Sequence, residues 1–191
     1  MQSKVFGIGL PKTGTTSLYA ALYYLGYRAG TYRHMARLGM GEWFHGDFTK
    51  DYFQDYDALT DLPLPVFYKG LYARYPGSKF ILTVRPISTW LQSCKRQFSI
   101  PSPHEFSRKG RVAIFGAELP DENLLLQAYN SHYESVLEFF ADKPDSLLIF
   151  NAFDGDSWHK LCPFLGKKIP QYQFPNVKPG FQAHLNPPET A

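Results

Sequence analysis

The twelve residues GIGLPKTGTTSL at positions 7–18 constrain this chain more than any others. They follow the short β-like run KVF and lead into YAALYYLG, where apolar residues continue for nearly three helical turns until Gly26 ends them. Strand, glycine-bearing turn and helix in that order form the unit in which backbone amides and a helix N-terminus hold a phosphate. An ordinary loop of this kind reads G-x4-G-K followed by Ser or Thr, with the lysine on the outer phosphates of a triphosphate and the hydroxyl on Mg²⁺. Here Gly9 and Gly14 keep the glycine spacing, but Thr15 stands where the lysine belongs and Lys12 lies inside the loop. The cradle therefore remains while the triphosphate clamp is gone. Amides and hydroxyls from Thr13, Gly14, Thr15, Thr16 and Ser17 suit a single 5′-phosphate, and Lys12 would meet whatever group is bonded to it.

A second strand, KFILTVR, carries Arg85 at the end where a nucleoside triphosphatase would place a metal-binding aspartate. Arginine in that position repels a metal and attracts another anion. Pro86 is suited to starting the next helix, and Ser93 follows it by about two turns, on roughly the same face. Arg85 and Ser93 can then grip a second phosphate, one by its planar fork and the other by its hydroxyl.

Those residues carry a resemblance. GLPKTGTTSL resembles the 5′-phosphosulfate loop of the sulfotransferase family, and the R-x7-S spacing of Arg85 and Ser93 is similar to that family's 3′-phosphate motif. YRHM, LLIFNAF, FLGKKIP and QFPNV resemble segments of a compact, bacterial-type branch. The resemblance implies 3′-phosphoadenosine 5′-phosphosulfate as sulfuryl donor and adenosine 3′,5′-bisphosphate as product. It implies a hydroxyl or amine on a small-molecule or glycan acceptor, and in-line transfer that needs no metal. Lys12 would stabilise charge on the leaving phosphate, and a His or carboxylate opposite it would take the acceptor's proton. Two residues compete for that last role. Asp61 lies in TDLP, where family members often carry histidine, and His34 follows the expected second strand; His45 and Glu42 stand behind them. Histidine titrates near neutrality unaided, whereas Asp61 needs desolvation to raise its pKa; its alternative role is to cap the following helix.

Around these motifs a βα rhythm repeats and predicts a three-layer α/β/α fold with a mostly parallel central sheet, P-loop NTPase-like, in one domain over residues 1–191. YRAGTYRH can form a short second strand and KDYFQDYDAL a helix leading into a third. Residues 99–120 are polar, punctuated by Pro and Gly and basic at Arg108, Lys109 and Arg111, and read as a lid loop that closes over the 3′-phosphate or selects an anionic acceptor. DENLLLQAYNSHYESVLEFFADK reads as a helix with His132 on its apolar face, and residues 170–191, with Lys178, as an extended tail.

With Lys and Arg dispersed and a net charge of only +3, a nucleic-acid partner has little support. No apolar run reaches membrane-span length and no leader opens the chain, so a cytoplasmic protein without a membrane partner is expected. Cys94 and Cys162 lack metal or redox spacing, and the same is true of His104, His132, His159 and His184, so no metal site is expected. Among the aromatic residues, 17% of the chain, Tyr23, Tyr24, Tyr32, Trp43, Phe44 and Tyr68 can line an acceptor pocket or fill the core. Two alternatives stand beside the enzyme reading: a non-catalytic protein that keeps the nucleotide cradle, and a P-loop kinase or nucleoside triphosphatase. The sequence leaves the oligomeric state open.

Overall fold

The structure, a computed structural model, describes residues 3–38 and 51–177. Glu42, Trp43, Phe44, His45, Lys178 and His184 lie outside them. In chain order the elements are β1 (Val5–Gly7), α1 (Thr15–Tyr24), β2 (Ala29–Gly30), α2 (Tyr32–Arg37), β3 (Ala58–Thr60), α3 (Leu64–Arg74), β4 (Lys79–Thr83), α4 (Ile87–Gln97), α5 (Glu105–Phe115), α6 (Glu122–Phe140), β5 (Leu147–Phe150) and α7 (Trp158–Leu165).

The strands form one all-parallel sheet in the order β2-β3-β1-β4-β5. Phe6 of β1 is in register with Leu59 of β3 on one side and Phe80 of β4 on the other. Because side chains alternate across a strand, that register sends Phe6, Leu59, Phe80 and Leu82 to one face, where Leu64, Tyr68, Leu71, Val136 and Phe140 of α3 and α6 cover them. Val5, Ala58 and Ile81 go to the other face, under Leu18, Ala21 and Leu22 of α1 and Trp158, Leu161 and Cys162 of α7. A parallel sheet is stable only with both faces covered. The expected three-layer α/β/α architecture is therefore present, with seven helices among the described residues.

A third apolar cluster, Trp90, Cys94, Phe98, Phe115 and Leu125, binds α4, α5 and α6 together beyond the strand ends. Its α5 corrects the sequence reading of residues 99–120 as a loop. Residues 105–115 are a helix because Phe115 packs on Phe98, at 5.2 Å between ring centroids, and Gly116 closes the last turn in the left-handed conformation. Two smaller differences lie near the sheet edge. The second strand is only Ala29–Gly30, since Thr31 and His34 start α2 there, and no helix forms over the described residues 51–57. That segment is instead held by buried Lys4, whose ammonium donates to the carbonyls of Phe53 and Tyr56 at 2.7 and 2.6 Å.

Both cysteines are free and buried. Among the described residues, no helix is long and apolar enough to cross a membrane.

The chain passes from β3 on one flank of β1 to β4 on the other. In open α/β sheets such a reversal leaves a crevice at the carboxyl ends of the strands, where ligands bind. The loops after β1, β3 and β4 carry Lys12, Asp61 and Arg85 into that position.

Candidate active site

The glycine that opens the phosphate loop is required by close packing. A Cβ on Gly9 would lie 1.9 Å from Thr83 Oγ1, 2.5 Å from the Thr83 carbonyl oxygen and 2.8 Å from Thr13 Oγ1, so the bare Gly9 backbone packs directly on Thr83 at the end of β4. The Thr13 hydroxyl donates to the Leu10 carbonyl at 2.6 Å and therefore accepts from Thr83 Oγ1, also at 2.6 Å. At 2% exposure it is turned away from the crevice. Thr13, expected among the phosphate-binding hydroxyls, acts in this structure as a brace between loop and sheet.

Two further braces come from the β4–α4 segment. Trp90 Nε1 donates to the Pro11 carbonyl at 2.9 Å, and Arg85 Nη1 donates to the Lys12 carbonyl at 3.3 Å. They hold Lys12 at φ 73° and Gly14 at φ 99°, after which α1 begins. No side chain caps α1 and its first turn holds no acidic residue, so its leading amides and positive dipole end are available to an anion. Thr15, Thr16 and Ser17 line the space in front of that end.

Arg85 leaves the end of β4 with Nε bonded to Thr89 Oγ1 at 3.1 Å and its guanidinium 4.2 Å from the centroid of Phe153. The Tyr129 hydroxyl holds its carbonyl at 2.7 Å. Ser93 shares the buried face of α4 with Trp90 and Cys94 and is 7% exposed, opening only to the crevice.

Asp61, just past β3, sits at φ 80°. Lys12 and Asp61 are the two non-glycine residues with positive φ among the described residues, and both line the crevice. Each costs roughly 1–2 kcal/mol of local backbone strain, of the kind that concentrates at functional sites. Asp61 Oδ1 accepts the Leu62 amide at 2.9 Å, so the carboxylate is fixed by its own turn; the α3 N-cap is Pro63. Burial pushes the Asp61 carboxyl above the usual carboxylate range, against the smaller opposing pull of the Leu62 amide and the Lys12 charge. Burial also lowers the Lys12 ammonium, whose Nζ reaches Gln97 Oε1 at 3.4 Å.

Lys12, Gly14, Thr15, Thr16, Ser17, Asp61, Arg85 and Ser93 thus converge on one cavity of about 640 Å³. His34 does not line it. Its Nδ1 accepts the Thr31 amide at 3.0 Å and closes the N-terminus of α2, and its ring lies between Tyr19 and Tyr56 at centroid distances of 6.3 and 5.8 Å. Burial, with help from Arg37, depresses its pKa. An Nδ1 that accepts leaves the proton of the neutral ring on Nε2.

Several lining residues were not singled out from sequence. Arg33 on α2, Arg96 and Gln97 on α4, and Phe153 after β5 face the cavity. Phe153 had no signal, but Arg96 lies one turn beyond Ser93 and helical periodicity points to it. The basic cluster of residues 108–111 divides. Lys109 pairs with Glu105 at 3.0 Å, Arg108 donates to the Ser102 carbonyl at 2.9 Å, and only Arg111 reaches the cavity. Of the aromatic candidates, Tyr32 lines it, Tyr68 is buried in the core, and Tyr23 is exposed.

The described part of the tail wraps back to the site. Trp158 Nε1 donates to the Tyr172 carbonyl at 2.8 Å and Phe174 packs edge-on against Trp158, 4.9 Å between ring centroids, which delivers the Val177 amide to Ser17 Oγ at 3.1 Å. His132 is a core residue, its Nε2 2.8 Å from the Ile8 carbonyl. Among the described residues, no group of three or more His, Cys, Asp or Glu side chains gathers to hold a metal.

The cavity thus joins an uncapped helix N-terminus and Lys12 to an arginine at the end of β4, where a metal-binding carboxylate would stand in a nucleoside triphosphatase. The chain is a member of the sulfotransferase domain family, whose match covers residues 4–182. It is also similar to Ava biosynthesis cluster protein M of Aspergillus versicolor, at 28% identity over 212 residues that span 91% of this chain and 80% of that protein.

Proposed function

We propose that the protein transfers the sulfuryl group of 3′-phosphoadenosine 5′-phosphosulfate to a hydroxyl of a small acceptor. The observation that carries this reading is the convergence of two anion sites and one carboxylate on a single cavity: the α1 N-terminus with Lys12, the pair Arg85 and Ser93, and Asp61. Two separate groups of anion-binding residues suit a nucleotide with phosphates on both its 5′ and 3′ positions, as this donor has and ATP does not. A P-loop kinase would need a carboxylate at the end of β4, where Arg85 stands.

In this reading the α1 amides with Thr15, Thr16 and Ser17 hold the 5′-phosphate, and Arg85 with Ser93 holds the 3′-phosphate. The donor supplies an activated sulfur–oxygen bond. Asp61 accepts the proton of the acceptor hydroxyl as the new oxygen–sulfur bond forms, and its raised pKa suits a base better than that of an ordinary aspartate. Lys12 donates toward the leaving 5′-phosphate oxygen as the old sulfur–oxygen bond breaks. The depressed pKa of Lys12 leaves that proton more readily shared. His34, with Nδ1 engaged at the start of α2, supports the helix that carries Tyr32 and Arg33.

Calorimetric titration with adenosine 3′,5′-bisphosphate and with ATP·Mg²⁺ tests the proposal. Tight binding of the bisphosphate and little response to ATP is the expected result, and Arg85→Ala should weaken bisphosphate binding by about 2–5 kcal/mol by stripping a charged partner from a phosphate. Preference for ATP·Mg²⁺ would refute it.

A further inference from the structure

The cavity carries more positive charge than the donor's two phosphates use. Among the described residues Lys12, Arg33, Arg85, Arg96 and Arg111 line it, against the single carboxylate of Asp61. Lys12 is assigned to the 5′-phosphate and Arg85 to the 3′-phosphate, with Arg96 one turn beyond Ser93 on the same side. Arg33 and Arg111 belong to other elements, α2 and α5.

Arg111 is the more telling of the two. It is 4% exposed, and its Nε has no hydrogen-bond partner. Nη1 is held by the carbonyls of Ile100 at 3.0 Å and Glu118 at 3.4 Å, and the guanidinium packs 4.8 Å from the centroid of Phe98. The nearby Glu118 carboxylate accepts the Ser102 amide at 3.0 Å and acts on Arg111 through charge alone, which offsets only part of the effect of burial. A guanidinium held this firmly, buried and short of partners, is costly unless an anion completes it. Its helix also sits beside the proposed base. A Cβ on the neighbouring Gly110 would lie 3.1 Å from Leu62 Cδ1, so α5 packs directly on the residue after Asp61. Arg33, exposed on α2, lines the same cavity and has no carboxylate partner among the described residues.

We infer that the acceptor bears an oxyanion, which Arg111 and Arg33 hold while the hydroxyl of the same molecule meets Asp61. The chemistry is that of a hydroxylated carboxylic acid or of a phosphate or sulfate ester. This inference rests on the donor assignment above, since the two arginines are spare only if Lys12 and Arg85 serve the nucleotide. It assigns to the pocket a charge preference that a neutral sugar or an unsubstituted phenol would not satisfy.

The test uses the full chain saturated with adenosine 3′,5′-bisphosphate, titrated with benzoate, with phenyl phosphate and with benzyl alcohol and followed by NMR. Binding of either anion but not of the alcohol is expected, and which anion binds tells a carboxylate acceptor from an ester. Arg111→Met and Arg33→Gln should each weaken that binding by about tenfold or more. Arg111→Lys should recover part of it, while bisphosphate binding stays intact in all three. Should Arg111→Met fail to fold, as its melting curve would reveal, Arg33→Gln decides alone. Loaded protein that takes up neither anion, or folded variants that bind them as wild type does, would overturn the inference. Failure of the bisphosphate itself to bind would overturn the donor assignment first, and this inference with it.

Discussion

The two walls of the cavity are held in different ways. Residues 9–17 and 85–93 are stitched to the sheet and to each other: Thr13 to Thr83, Pro11 to Trp90, the Lys12 carbonyl to Arg85. The opposing groups come from α2 and α5, helices beyond the strand ends, and from the turn at Asp61. Arg111 is held by carbonyls of the segments that flank α5, and Gly110 by packing on Leu62. In the proposed function the first wall meets phosphates, which are the same in every donor molecule, so it can be rigid and built from local motifs. The second would fit one acceptor, and tertiary packing assembles it.

Substitutions on the two walls should separate these roles. The largest effect is expected at Asp61. Asp61→Asn should reduce turnover by about 10²–10⁴-fold if it is the general base. The wild-type rate should fall as pH drops through a raised carboxyl pKa, because only the ionised form accepts a proton, and the variant should lack that limb. Stability should move the other way. A carboxyl whose folded pKa lies above its unfolded value favours the fold most at low pH and loses that contribution as pH rises through the folded pKa. At neutral pH the Asn variant should therefore need more denaturant to unfold than wild type. Equal turnover in the variant would remove Asp61 from the chemistry.

Lys12→Ala comes next, with an expected loss of about 10²–10³-fold in turnover from removing one donor to a developing oxyanion. A change confined to KM would assign Lys12 to binding instead. Gly9→Ala tests the stitching itself. With a Cβ 1.9 Å from Thr83 Oγ1, it should destabilise the fold by about 1–3 kcal/mol, read from the denaturant midpoint. The smallest effect is expected at His34, where alanine should cost about 1 kcal/mol of stability through the lost capping contact and leave the pH profile of turnover unchanged. A lost pH limb in that variant would return His34 to the chemistry and break the comparison.

What was legible in the sequence follows the same division. The strand–loop–helix at residues 7–18 and the Arg85–Ser93 spacing could be read because their partners are neighbours along the chain, and strand and helix periods fix which way they face. Lys12, Gly14, Thr15, Thr16, Ser17, Arg85 and Ser93 all line the one cavity. Thr13 shows the limit of that reasoning. Its hydroxyl is within the motif, but the approach of β4, separated by 70 residues, turns it inward. The helix at residues 105–115 was hidden for a similar reason, since a polar segment becomes helical when Phe115 can pack on Phe98 and α6.

By itself the sequence determined the doubly covered parallel sheet, through its apolar runs and their βα alternation, and the strand, glycine turn and helix of residues 7–18, through glycine spacing. Only the tertiary structure placed Asp61 and Arg111 at the cavity and His34, Arg108 and Lys109 away from it. Residue type does not decide this in a sequence; burial and the direction of a side chain do. Both depend on contacts between segments far apart in the chain.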